Sequence, residues 1–276
     1  MKYNTTSSLF HYTKCLEALK GILLEGLLPN YCKESFSYNE KTEQVGIPMV
    51  SFCDIPVTRA SGFCDRYGKY AIGLSKEWGL KNRINPVFYN ASEEIVAGLW
   101  YYRNYQKSIE DRLKKRGSDG KSLKLDLSVG EKPELVDFFN NANAKSANLA
   151  FYGLIKKYES EHNGINQNNY IENEWRYVVH DGEDNVVWLW GEEAYKIWRG
   201  TDRSKPEPSN ELRDKRLQFE VPDVRYIIVE NEADIVSVIG WLEILDVLGG
   251  NQSLTEDDKK LLISRVISMD QIEQDF

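Results

Sequence analysis

Residues 7–29, "SSLFHYTKCLEALKGILLEGLLP", carry the first decision about the fold. "SLFHY" reads as a short strand, and Thr13 stands where a helix N-cap belongs. Downstream, Leu16, Leu19, Ile22 and Leu23 recur at helical spacing on one face, and Gly26 is the expected stop. A strand, a cap and a helix therefore open the chain. On such a strand His11 and Phe10 point to opposite faces. A neutral imidazole at the strand end can hydrogen-bond a ribose hydroxyl, or it can serve the strand itself as a structural histidine.

Working outward, 29–46, "PNYCKESFSYNEKTEQVG", is polar and rich in turn-formers, so it reads as a surface loop. "IPMVSFCDIP" (47–56) is bounded by prolines and nearly all apolar, as a buried strand requires. "YGKYAIGLS" and "NPVFYN" read as two further strands joined by "KEWGLKNRI". Residues 92–115 form a long helix, and "AKSANLAFYGLIKKYES" a second one. "YIENEWRYVVHDG" begins as a strand, and "NVVWLWG" is expected to answer it in a hairpin across 181–185. "RLQFEVP" and "VRYIIVEN" supply the last strands, "EADIVSVIGWLEILDVL" a helix, and the end of the chain a short helix and an acidic tail. Strands and helices do not alternate as in a doubly wound sheet, so the fold class is α+β with a split or antiparallel sheet. The expected organisation is one α+β domain over 1–250, with a helical insertion at about 92–162, followed by the C-terminal helix and tail over 251–276.

The composition supports a folded chain: of 276 residues, 41% are hydrophobic and 28% charged, with 16 Tyr and 7 Trp. No apolar run reaches the length of a spanning helix, so a cytoplasmic protein without membrane contact is expected. The net charge of −8 disfavours coating nucleic acid over the whole surface but permits a local basic groove. Cys15, Cys32, Cys53 and Cys64 show no CxxC spacing and are read as free thiols. "GSDGKS" lacks the first glycine of a phosphate-binding loop, because Lys115 stands there. His162 and His180 are isolated.

Three further constellations carry chemistry. In "VSFCDIP", Ser51 and Cys53 share one strand face and end beside Asp54, as in a core strand or a site wall. In "YIENEWRYVV", strand alternation puts Glu172, Glu174 and Arg176 on one face and Trp175, Tyr177 and Val179 on the other. That charged face is either solvated, with Arg176 paired to Glu174, or lines a cleft where an ionised carboxylate stabilises developing positive charge. From Tyr101 to Arg116, six Lys or Arg stand against Glu110 and Asp111, net +4, interleaved with Tyr101, Tyr102 and Tyr105. Aromatics beside cations suit single-stranded nucleic acid, and a helix with a packed Tyr face and a solvated basic face explains the same letters.

Together, "LFHYT", "LEALKGILLEGLLP", "PMVSFCDIP", "YGKYAIGLSKEWG" and "NPVFY" resemble the AbiGi family of bacterial abortive phage-resistance proteins, most closely over residues 9–89. The layout is also similar to the ADP-ribosyltransferase superfamily, including its DarT-like and diphtheria-toxin-like branches. That resemblance implies an ADP-ribosyltransferase-like split sheet and NAD as substrate. It implies His11, Tyr12 and Thr13 on the NAD ribose, Ser51 on a neighbouring strand, Tyr67 or Tyr70 stacked on nicotinamide, Glu174 as the catalytic carboxylate and Glu172 as the outer glutamate. The implied function is a toxin modifying RNA or single-stranded DNA in preference to protein, restrained by a cognate antitoxin protein. Its alternative is a non-catalytic antitoxin or sensor module on the same fold.

Overall fold

The computed structural model describes residues 6–59, 64, 66–118, 147–162, 165–180, 186–191 and 210–275. Its strands are β1 (Ser8–Thr13), β2 (Asn30–Tyr38), β3 (Lys41–Cys53), β4 (Tyr70–Ser75), β5 (Asn85–Pro86), β6 (Phe88–Asn90), β7 (Ile155–Lys157), β8 (Glu159–His162), β9 (Ile165–Asn168), β10 (Glu174–Val178), β11 (Leu189–Trp190), β12 (Val224–Val229), β13 (Val247–Leu248), β14 (Gln252–Ser253) and β15 (Val266–Ser268). The helices that matter below are α1 (Leu16–Glu25), α2 (Lys76–Lys81), α3 (Glu93–Ser118), α4 (147–154), α5 (Glu232–Glu243), α6 (Glu256–Ile263) and α7 (Met269–Asp275). The class is mixed α+β, as expected. Nine strands form one sheet in the order β15-β12-β4-β1-β3-β10-β5, with β2 and β11 also pairing to β3. All its pairings are antiparallel except β12 with β15.

The sheet is organised around β3. Its first part pairs with β2 over Lys41 to Met49 and with β11 at Val45 and Gly46, and its last residues pair with β10 and, at Cys53, with β1. Two strands therefore share each edge of β3. Strand alternation then sorts the side chains. Leu9 and His11 fall on the face of Phe52, Ile72 and Trp175, where α1, α2, α5 and α6 bury the main core with Leu19, Leu23, Trp78, Val238, Leu242 and Leu262. Phe10, Cys53 and Glu174 lie in one row on the other face. There, Phe10, Ala71 and Ile228 meet Met269 and Ile272 of α7, while Phe36, Val45, Ile47 and Met49 meet α3 and α4 through Val96, Leu149 and Tyr152. Each such side chain, fully buried, contributes about 1.5–3 kcal/mol.

Several expectations change in the folded chain. The helix after β1 is α1 with Gly26 as its C-cap at φ 87, but its N-cap is Cys15, which makes no side-chain capping bond. Thr13 is instead the last residue of β1, paired with Tyr70. The polar stretch 29–46 is not a loop: β2 and β3 make a nine-pair hairpin whose two-residue turn, Asn39 and Glu40, has positive φ at both positions. β11 pairs with β3 and not with β10, so the expected hairpin does not form, and its turn at 181–185 lies outside the described residues. "RLQFEVP" gives a single bridge, Leu217 to Leu27, and a 3₁₀ turn. The C-terminal stretch adds β15 to the main sheet between α6 and α7.

The close approach of residues 66–68 to the end of β1 rests on Gly68. It sits at φ +101, and a Cβ there would lie 2.1 Å from the Thr13 carbonyl oxygen. Gly68→Ala should therefore destabilise the fold by more than about 1 kcal/mol. Gly240→Ala, in α5 where a new Cβ meets nothing within 4 Å, should stabilise it by about 0.5–1 kcal/mol. Urea unfolding of both variants checks the pair.

Candidate functional site

The site grows from β10 and from the turn before it. Asn168 caps the 3₁₀ turn Asn169–Glu172 by accepting the Tyr170 N–H, and Asn173 takes the left-handed conformation at φ 43 that Asn tolerates. The Asn173 carbonyl accepts the Asp54 N–H at 3.0 Å, tying this turn to the end of β3. Glu172 is thus not a strand residue, yet the turn returns its side chain to the face that Glu174 occupies. β7 contributes Lys156 across that face, with its neighbour strand β6 supplying Tyr89, whose hydroxyl accepts the Glu174 N–H at 2.7 Å.

The result is a continuous chain of charges. Lys156 Nζ donates to Glu172 Oε2 and to Glu174 Oε2, each at 2.8 Å. Arg176 donates through Nε to Glu174 Oε1 at 2.8 Å and through Nη2 to Glu174 Oε2 at 3.2 Å and Glu34 Oε1 at 2.5 Å; its Nη1 reaches the Gly153 carbonyl at 3.1 Å. Glu172 Oε1 accepts from Arg66 Nη1 at 2.6 Å and from the Tyr67 hydroxyl at 3.0 Å. Three carboxylates, Glu34, Glu172 and Glu174, face three cations, Lys156, Arg176 and Arg66, so the cluster is formally neutral. It is also deep: the side chains of Arg176, Glu172 and Glu174 are 1%, 3% and 7% exposed.

Burial opposes charge at each position, and the partners decide the outcome. Burial alone would raise the Glu174 carboxyl, but the Arg176 guanidinium and Lys156 ammonium overcome it and hold the group at about 2. Burial lowers Lys156 and Arg176, yet the surrounding carboxylates raise both on balance. Burial prevails at Glu34, whose carboxyl is raised despite Arg176. Tyr67 is pushed up to about 12, chiefly by burial and then by Glu172, so its hydroxyl stays a donor.

The sequence-derived residues divide between the two faces of the sheet. Glu172, Glu174 and Tyr67 come together. Tyr12 and Ser51 share their face; the Tyr12 hydroxyl is buried without a hydrogen-bond partner and raised by burial, and Ser51 Oγ turns to Met49 Sδ at 3.7 Å. His11, Thr13 and Tyr70 lie on the opposite face, because one residue of strand separates His11 from Phe10. His11 packs edge-on to Phe52 and is lowered by burial, so its neutral ring donates from Nδ1 to the Ser51 carbonyl at 2.9 Å. Tyr70 donates to Asp234 Oδ2 at 2.8 Å and anchors α5. One pocket uniting His11 with Glu174 is therefore not formed. Nor is Glu174 on a solvated face, although its pairing to Arg176 is as the strand alternation implied. Lys156, Arg66 and Glu34 were missed: Lys156 lay in an apparent helix, Glu34 in an apparent loop, and only the adjacency of Arg66 to Tyr67 offered a signal.

Comparison with known proteins identifies the class. A family model described as "Putative abortive phage resistance protein AbiGi, antitoxin" matches residues 25–230, and the chain belongs to this AbiGi family. The "Abortive phage resistance protein AbiGi" of Lactococcus lactis subsp. cremoris is similar, at 24% identity over 263 residues, which cover 90% of this chain and 99% of the relative. No solved structure matches. Among the described residues, no helix is long and apolar enough to cross a membrane.

Two acid-sensitive groups follow from this geometry. The unfolded chain protonates His11 near 6.5, which the folded chain resists, so stability should fall as pH drops below 6.5. The contribution of Glu174 is complete above about 4.5 and is lost toward about 2; Glu34 acts in the opposite sense. His11→Gln should flatten the first limb and leave the second in a series of urea melts. Arg176→Ala, which strands buried carboxylates, should cost about 3–5 kcal/mol, and Glu174→Gln combined with Arg176→Met less than the sum of the single changes.

Proposed function

We propose that this chain acts in abortive phage resistance as a neutralising component without turnover, an antitoxin that binds a toxic partner protein. One observation carries the reading: Glu174, the carboxylate that NAD cleavage would need, has both oxygens engaged by Arg176 and Lys156 within a buried, neutral cluster. A carboxylate stabilises an oxocarbenium-like centre only when the substrate can face it. Here the cations take that position, and His11 lies across the sheet. The descriptions of the family and of the lactococcal relative agree with a role in phage resistance, and the family's description names the antitoxin half.

A second reading is the NAD-dependent ADP-ribosyltransferase on an ADP-ribosyltransferase-like sheet, with NAD as substrate. Favouring it is the ionised state of Glu174 beside Glu172 and Tyr67, which a transferase would use once Lys156 and Arg176 moved aside. The two readings give opposite results. Expression of the chain alone in its bacterial host should be harmless, and the purified protein should neither hydrolyse labelled NAD nor transfer ADP-ribose to lysate macromolecules. Co-expression of the chain should restore growth to cells that are poisoned by its cognate toxin. Toxicity on solo expression together with NAD turnover would establish the transferase instead.

A further inference from the structure

The helix α3 places its inward residues Val96 and Leu99 against the core under β2 and β3, and Gln106 is buried on the same side. Its tyrosines stay substantially exposed. Tyr101, Tyr102 and Tyr105 are 56%, 37% and 59% exposed. They continue an aromatic surface from the hairpin: Tyr38 donates to the Tyr101 hydroxyl at 3.0 Å, and the Trp100 and Tyr101 rings lie 5.2 Å apart. Cations interleave with the rings. Lys41 Nζ stands 5.5 Å over Trp100, and the Arg103 guanidinium lies 3.3 Å over the Trp190 ring, where it also pairs with Glu43. Residues 101–116 carry the +4 balance noted above in a chain of net charge −8.

We infer that this surface binds single-stranded nucleic acid, with bases on Tyr101, Tyr102 and Tyr105 and phosphates on the exposed Lys41 and Lys107 beside them. Exposed rings stack on bases of any sequence, and neighbouring cations neutralise the backbone. Tyr101 and Tyr105 are one helical turn apart, about 6 Å along the axis, which suits bases splayed from an extended strand. A duplex hides the faces of its bases inside the stack and leaves the tyrosines nothing to bind. An acidic protein would satisfy the charge but has no use for a row of open rings.

Fluorescence anisotropy with labelled oligouridylate and oligothymidylate, about twelve nucleotides long, tests the assignment beside a duplex of equal length. Binding should favour single strands over duplex by about ten-fold or more and weaken steeply with salt. Tyr102→Ala/Tyr105→Ala should weaken it about ten-fold, with an unchanged thermal midpoint, and Lys107→Glu should reduce the salt slope. Arg83→Glu is the control: it lies on the other side of the sheet, at a cavity of ≈ 370 Å³ lined by Lys81, Arg83, Lys215 and Tyr177, and should change little. Absence of binding to any probe, equal affinity for duplex, or loss on Arg83→Glu as large as on the tyrosine pair would each overturn the inference.

Discussion

The alternation of side chains along β3 is the constraint on which the other features depend. This thirteen-residue strand holds β2 and β1 on one edge and β11 and β10 on the other, so its pleat fixes the facing of most of the sheet. Even-numbered Val50 and Phe52 enter the main core, and odd-numbered Val45, Ile47 and Met49 the second one. A slip of one residue in any pairing would turn apolar rows to water. The same parity separates His11 from Glu174, although their strands are only one strand apart.

Between the two hydrophobic clusters of the second face lies the ionic cluster of Arg176, Glu174, Glu172, Lys156, Glu34 and Arg66. Desolvating such groups is costly, and attraction offsets that only when nearly every donor and acceptor is used. Here Arg176 alone engages two carboxylates and the Gly153 carbonyl at the end of α4. The cluster thereby joins β2, β10, β7, α4, the turn before β10 and residues 66–67. Such a junction specifies one arrangement of these parts, since any other would leave a charge buried and unpaired. This accounts for a row of charged residues without requiring a reaction.

The outer surface of α3 has the reverse character. Its rings at Tyr101, Tyr102 and Tyr105 and its Lys107 side chain are exposed, so it is suited to contact with another molecule. Closed inner glutamates and an open helix surface are the two features on which the antitoxin role proposed above and the nucleic-acid contact inferred above rest.

Local pattern determined much of this from the sequence by itself. The apolar spacing of α1, the proline-bounded run in β3, the helical stretch of α5 and the alternation in β10 are signals confined to a few consecutive residues, and each element formed within its stretch, although β3 began earlier at Lys41, β10 only at Glu174, and α5 stopped at Glu243. Long-range pairing was decided only in the tertiary structure. The β2 strand is polar and was legible as a strand only once β3 lay beside it, because its backbone hydrogen bonds depend on that partner. Lys156 and Glu34 joined the site across 18 and 140 residues from Glu174 (174 − 156 and 174 − 34), and no local spacing encodes such a meeting. The sequence named His11 and Glu174 as chemically capable, but their sides of the sheet followed from a register, Phe10 to Cys53 to Glu174, that exists only when three strands are joined.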